Sequence, residues 1–235
     1  MPDGLRPIIG ITANMDEDSD GARYVLRRNY AAMVVDAGGA PIILPHEPTL
    51  AALSLRCCDG VILSGGADID VREFGRDLHP CAVPMHPCRQ RGEFELLEAL
   101  GESPDLPVLG ICLGMQLIGM HAGATLVQHL DDAKPDAERH RGDRAHRVDS
   151  EFGAGAVTSS HHQALADAGS FEVIGRSDDG VIEAIRDPSR PFVVGVQWHP
   201  ERTADERLGI GVIRALVEAA KQRADRLRAR AAGSV

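Results

Sequence analysis

Two short strings in this chain of 235 residues could do covalent chemistry together. The first is Gly110-Ile111-Cys112-Leu113-Gly114, the end of the apolar run 107–111 (PVLGI) and the start of residues 115–122, whose spacing predicts a helix. A strand that turns at once into a helix holds its central side chain out above a sheet, and glycine on either side makes room for that turn. A thiol there sits at a helix N-terminus, where the partial positive charge favours thiolate over thiol. The N–H of Leu113 would point into the same site as an oxyanion donor. The plainer reading, a small buried cysteine in a glycine turn, does not account for the strand before it and the helix after it.

The second string is residues 192–201, FVVGVQWHPE. Its strand-like run ends on His199, Pro200 cannot join an interior ladder, and Glu201 follows. Residues two apart in extended chain project to one side, so His199 and Glu201 can lie together. An imidazole held by a carboxylate is what a thiol nucleophile needs: it takes the thiol proton, then gives one to the leaving group, while the carboxylate sets its tautomer. His199 alone would read as structural; beside Cys112 it reads as the base.

The elements that must position these groups alternate in the first half: strands at 6–12, 41–44, 60–63 and 107–111, helices at 24–37, 50–55, 92–100 and 115–122. That alternation predicts an α/β fold, a three-layer sandwich around a mainly parallel sheet. Between them lies a long loop, 64–89, rich in Gly, Pro, His and Asp, and loops of that length inside a compact domain are often functional. The second half carries short β-like runs at 147–149, 157–159, 171–176, 181–186 and 192–198, which predict antiparallel additions. Residues 203–232 predict a long helix with an apolar stripe through Ile210, Ile213 and Val217. With no repeat or linker, residues 1–235 read as one domain.

Composition narrows the classes. A formal charge of −10 argues against nucleic acid as partner. No apolar run reaches the ~18 residues of a membrane span, and the start, residues 1–6, lacks the pattern of a signal peptide. The expectation is a cytoplasmic protein with no membrane partner. Five cysteines without framework spacing predict free thiols, with Cys57 and Cys58 packed in the core. His79-Pro80-Cys81 and His86-Pro87-Cys88 offer four metal-capable side chains, but the spacing fits no common zinc pattern, so no metal is expected. Among other histidines, His161 has a plausible place on the substrate side. His140, His146 and His162 read as surface or turn residues, and 131–147 reads as a solvated, mobile connection.

ILSGG at 62–66, GICLGMQ at 110–116 and VQWHPE at 196–201, in that order, resemble class I glutamine amidotransferase domains over nearly the whole chain. Within them the chain looks most similar to the γ-glutamyl-γ-aminobutyrate hydrolase subgroup (peptidase C26-like). Asp68 with Phe74-Gly75, residues 91–95, 123–126, 159–163 and 179–183 resemble further segments of that subgroup. The departures are Phe74 for Tyr, Gly92 for Asp and Thr158 for Asn. The resemblance implies a flavodoxin-like fold, Cys112 as nucleophile, His199 as base and Glu201 as its orienter. It implies an oxyanion hole from the N–H groups of Gly66 or Gly65 and of Leu113, with Gln116, Ser159, Ser160, His161 and Gln163 bordering the substrate. The implied reaction is hydrolysis of a small γ-glutamyl amide through a thioester, with no cofactor; the three departures leave the amine open. Two other readings stand beside it: a glutaminase subunit passing ammonia to a separate synthase, and a catalytically silent binding protein of the same fold. A homo-oligomer such as a dimer is also left open.

Overall fold

The computed structural model describes residues 5–232; the first four residues, part of the stretch read for a signal peptide, lie outside it. A single nine-stranded sheet organises the molecule, in the order β4-β1-β5-β6-β13-β12-β11-β8-β9. The parallel half comprises β1 (Ile8–Thr12), β4 (Ala40–Leu44), β5 (Gly60–Leu63), β6 (Val108–Ile111) and β13 (Val193–Val196). The antiparallel half comprises β12 (Ile182–Arg186), β11 (Glu172–Ser177), β8 (Arg144–Ser150) and β9 (Gly153–Ser159). Counted along the chain, the parallel strands stand in the order 2-1-3-4-5, the flavodoxin-like winding. The α/β class, the parallel sheet and its antiparallel extension are thus as expected, but 192–198, expected among the antiparallel additions, supplies β13, which pairs with β6 as the fifth parallel strand and is buried on both faces.

Alternation along these short strands sorts the core into two layers. Val61, Leu63 and Val108 face α2 (Ala51–Arg56), α3 (Pro87–Leu100) and α4 (Leu113–His121), meeting Leu55, Leu96 and Leu117. Ile9, Ile11, Ile62 and Leu109 face the other way, onto Val34 of α1 (Arg28–Asp36) and Val212 and Leu216 of α5 (Ile210–Ala232). Strands buried on both faces have to be apolar at every position, which is why they read as continuous runs.

Several boundaries differ from expectation. The helix expected over 24–37 starts only at Arg28, because residues 14–25 form a hairpin, β2 (Asn14–Asp18) and β3 (Gly21–Val25). That ribbon is largely exposed and polar, so it carries no apolar alternation to read. α3 begins at Pro87, five residues early, and α5 begins at Ile210, seven residues late. A second small pairing, β7 (Leu126–Val127) with β10 (Ala164–Leu165), was not legible. Residues 131–147 are not a loose connection: two 3-10 turns lead into β8, and His140 and His146 are buried. Cys58 is buried, but Cys57 is exposed. No helix among the described residues is long and apolar enough to cross a membrane.

Candidate active site

Three loops at the carboxyl ends of adjacent strands β5, β6 and β13 build the site, the crevice where open parallel sheets hold ligands. Cys112 lies between β6 and α4 with φ 54° and ψ −106°, a region that non-glycine residues rarely occupy. The surroundings over-determine that turn. A Cβ on Gly110 would come within 2.5 Å of the Gly114 carbonyl oxygen, and one on Gly114 within 2.1 Å of the Leu63 carbonyl oxygen. Both glycines are therefore required by close backbone approach, and they lock the cysteine at the helix start.

β13 ends at Val196, and three residues later His199 reaches the same crevice. Its Nδ1–H donates to Glu201 Oε1 at 2.8 Å, and its ring hydrogen-bonds with Cys112. Burial lowers its pKa, but the charge and hydrogen bond of Cys112 and the contact with Glu201 outweigh burial and raise it to about 9. Thr158, one of the departures noted above, anchors this turn. Its carbonyl accepts from His199 N–H at 2.9 Å, its N–H donates to Thr203 Oγ1 at 3.0 Å, and its hydroxyl donates to the Arg202 carbonyl at 2.9 Å. Thr203 in turn donates to the His199 carbonyl at 2.8 Å.

The turn after β5 supplies the remaining wall. Gly65 N–H donates to Tyr30 Oη at 3.1 Å, so of the two N–H groups expected as oxyanion donors on this loop it is the one engaged within the protein. Arg89, fully buried, donates to the Gly65 carbonyl from both terminal nitrogens at 3.2 Å and to the Ser64 carbonyl at 3.0 Å. In a trans peptide C=O and N–H point opposite ways. Holding the Gly65 carbonyl against Arg89 therefore turns the Gly66 N–H away from it. Among the described residues neither Gly66 N–H nor Leu113 N–H has a protein acceptor. A Cβ at Gly66 would lie 2.1 Å from Arg89 Nη1, so glycine is needed for the clamp. Arg89 is balanced by Glu93 at 3.3 Å, also fully buried.

That pair stands beside residues 91–95, the segment that resembles the subgroup's motif. The same Arg-x-x-x-Glu spacing occurs two residues earlier, and Arg91 and Glu95 are exposed whereas Arg89 and Glu93 are buried. A readable signal existed: Arg89 and Glu93 share a helix face with Leu96, Leu97 and Leu100, which form core. Tyr30 and Asn14, which takes a hydrogen bond from Arg89 at 2.9 Å, were also missed. Gly92 packs on His46, and Phe74 meets Phe94 at a tilt, with ring centroids 5.2 Å apart. Neither they nor Thr158 line the cavities beside Cys112, so these departures do not bear directly on the leaving group.

Cys112 stands between two cavities. One, of about 470 Å³, is bordered by Asn14, Asp16, Arg27, Tyr30, His199 and Arg202. The other, of about 210 Å³, is bordered by Asp68, Leu113, Gln116, Ser160, His162 and Gln163. Gln116, Ser160 and Gln163, three of the residues expected beside the substrate, line the smaller cavity. Ser159 does not: it is fully buried in β9 and lines neither cavity. His161 borders the smaller cavity, but its ring is turned into the protein, with Nδ1 2.8 Å from the Gln163 carbonyl. His162, expected on the surface, bonds Asp68 at 2.9 Å and joins the long loop to this wall.

The repeated His-Pro-Cys has a local explanation. His79 Nδ1 accepts from Cys81 N–H at 3.1 Å, and His86 Nδ1 accepts from Cys88 N–H at 3.2 Å, where it caps α3. The four side chains do not converge; His79 and Cys81 group instead with His129. A second group of metal-capable side chains, His140, His161 and Glu183, lies buried behind the smaller cavity wall.

A strained cysteine at a strand-to-helix turn, with a carboxylate-held histidine, on this winding defines a class, and the comparisons agree: the Peptidase C26 family description matches residues 7–201, so the chain belongs to that family. Among its relatives is a Mycobacterium tuberculosis protein named a "putative glutamine amidotransferase", 34% identical, with 94% of this chain and 77% of that protein covered. The γ-glutamyl-γ-aminobutyrate hydrolase PuuD of Escherichia coli K12 is 30% identical, with 85% of this chain and 87% of that protein covered. In fold the chain is similar to a Thermoplasma acidophilum protein described as a GMP synthase subunit, with a TM-score of 0.66, 17% identity, and coverage of 96% and 100%.

Proposed function

We propose that the protein is a γ-glutamyl amide hydrolase acting through Cys112, His199 and Glu201. The observation that carries this is the raised, Glu201-held imidazole in hydrogen-bond contact with a thiol that opens onto two cavities. A pKa of about 9 favours the protonated form of His199 near neutral pH, beside Cys112. The thiolate attacks the γ-carbonyl carbon. The N–H groups of Gly66 and Leu113 receive the developing oxyanion, and His199 gives its proton to the departing amine. His199 then takes a proton from water, which attacks the thioester and releases glutamate and the thiolate.

The smaller cavity suits the glutamyl part, since Asp68 can face its ammonium and Gln163 Oε1, buried without a partner, is a ready acceptor. The larger cavity, under the β2–β3 hairpin, suits the leaving amine. Arg27 there matches an amine bearing a carboxylate, such as γ-aminobutyrate, and Asp16 a cationic one. Such chemistry belongs to the breakdown of γ-glutamylated amines, including those derived from polyamines.

The test is a panel of γ-glutamyl amides, glutamine among them, given to the wild type and to Cys112→Ala. Hydrolysis of at least one amide other than glutamine is expected, and it disappears in the variant. Turnover of glutamine alone, appearing only with a second protein, would replace this reading with that of a glutaminase serving a synthase. If Cys112 were inert to every γ-glutamyl electrophile, a silent binding protein would remain.

A further inference from the structure

Four buried side chains that the reaction does not use meet behind the wall of the smaller cavity. Glu183 on β12 is fully buried, and its Oε1 lies 2.9 Å from His146 Nε2, 3.3 Å from His140 Nδ1 and 3.7 Å from His161 Nε2. The outer nitrogens settle the tautomers of two of these rings. His161 Nδ1 sits 2.8 Å from a carbonyl oxygen, that of Gln163, which can only accept. His140 Nε2 sits 2.9 Å from Asp179 Oδ2, a carboxylate oxygen. Each outer nitrogen therefore carries a hydrogen, and each inner nitrogen is turned towards Glu183. The result is that His140 Nδ1, His161 Nε2 and Glu183 Oε2 are all buried without a hydrogen-bond partner. A buried carboxylate faced by such nitrogens calls for a positive charge among them, a proton or a metal ion.

We propose that His140 Nδ1, His161 Nε2 and the Glu183 carboxylate bind a divalent transition-metal ion of the zinc class at a closed, structural site. Bonds of ~2.0–2.1 Å to a tetrahedral ion put neighbouring ligand atoms ~3.3–3.4 Å apart. The separations of 3.3 and 3.7 Å match that edge better than they match hydrogen bonds. Metal-bound histidines donate their other N–H to a carboxylate or a carbonyl, which is the part taken here by Asp179 and Gln163. His146 holds Glu183 from the third side, and the orphaned second oxygen or a water completes the shell. The ion ties the turn at His140, the cavity-wall segment at His161 and strand β12 together, and takes no part in the chemistry at Cys112. The group of His79, Cys81 and His129 is weaker: both ring nitrogens of His79 are engaged, by Cys81 N–H and by Asp132 at 3.1 Å, and Cys81 is exposed.

The test uses untagged full-length protein stripped with a chelator and then titrated with Zn²⁺ or Co²⁺ alone. One equivalent of zinc is expected to bind and to raise the melting temperature. Cobalt should give the strong visible bands of a tetrahedral site, without the near-ultraviolet charge-transfer band of a thiolate ligand. Asp179→Asn should weaken zinc binding by about 10–100-fold, and Glu183→Gln, nearly isosteric, should abolish the cobalt bands, while Cys81→Ser and Cys112→Ala keep them. No binding by the wild type, or a thiolate band lost with Cys81→Ser, overturns the proposal, and both are read without needing any cluster variant to fold.

Discussion

The charge of His199 depends on its neighbours. Burial alone would drive the imidazole neutral; Cys112 and Glu201 reverse that and raise its pKa to about 9. Removing the sulfur should therefore let burial win. In Cys112→Ala the His199 pKa is expected to fall below 9, read from the pH titration of its ring protons by NMR; an unchanged value would sink the ion-pair account. The same shift has a stability consequence of definite sign. Because the folded value lies above the ordinary 6.5, the pair's contribution is complete below pH 6.5 and is lost as pH rises through about 9. Urea midpoints measured across that interval should decline more steeply for the wild type than for Cys112→Ala. Glu201→Gln keeps the shape but loses the charge that fixes the ring, and turnover should fall by roughly 10²–10⁴-fold. The residues proposed for these roles were legible in the strings GICLG and WHPE, because a nucleophile turn and a histidine two residues from a carboxylate are local features. Tyr30 and Arg89 were not legible, because their partners at Gly65 lie 35 and 24 positions away in the chain.

Among the elements, the turn from β6 into α4 and the start of α3 position the chemistry. Gly114→Ala would drive a methyl group into the Leu63 carbonyl, and a loss of about 1–3 kcal/mol or more is expected, measured by urea unfolding. The buried Arg89–Glu93 pair is a positioning device with a separable test. Replacing both, Arg89→Met with Glu93→Leu, swaps a buried ion pair for apolar volume, a change folds often tolerate. The Gly65 carbonyl then loses its clamp. The expected result is a drop of about 10²–10³-fold in kcat, as for loss of an oxyanion donor, with KM little changed. An unaltered kcat would show that the loop aims the Gly66 N–H without Arg89. The β2–β3 hairpin escaped the sequence for a physical reason: a two-stranded, water-exposed ribbon has no buried face, so its residues follow no apolar period.

Over the whole molecule, one continuous sheet couples the half that bears Cys112 to the half that bears Glu183. Trp198, the one tryptophan, is fully buried beside His199 and donates to the Leu208 carbonyl at 2.8 Å. Its fluorescence should change in the same urea transition as far-ultraviolet circular dichroism; separate transitions would mean that the two halves unfold independently. The amino-acid order alone determined four of the five parallel strands, their helices and the three catalytic candidates, since each rests on contacts between near neighbours or on runs of apolar residues that must be buried. Only the tertiary structure decided that Gly65 is spent on Tyr30, that Arg89 rather than Arg91 is the buried clamp, and that three histidines from a charged stretch and a cavity wall surround one carboxylate. Those outcomes depend on which distant backbone oxygens and side chains share a dry space, and sequence separation carries no record of that.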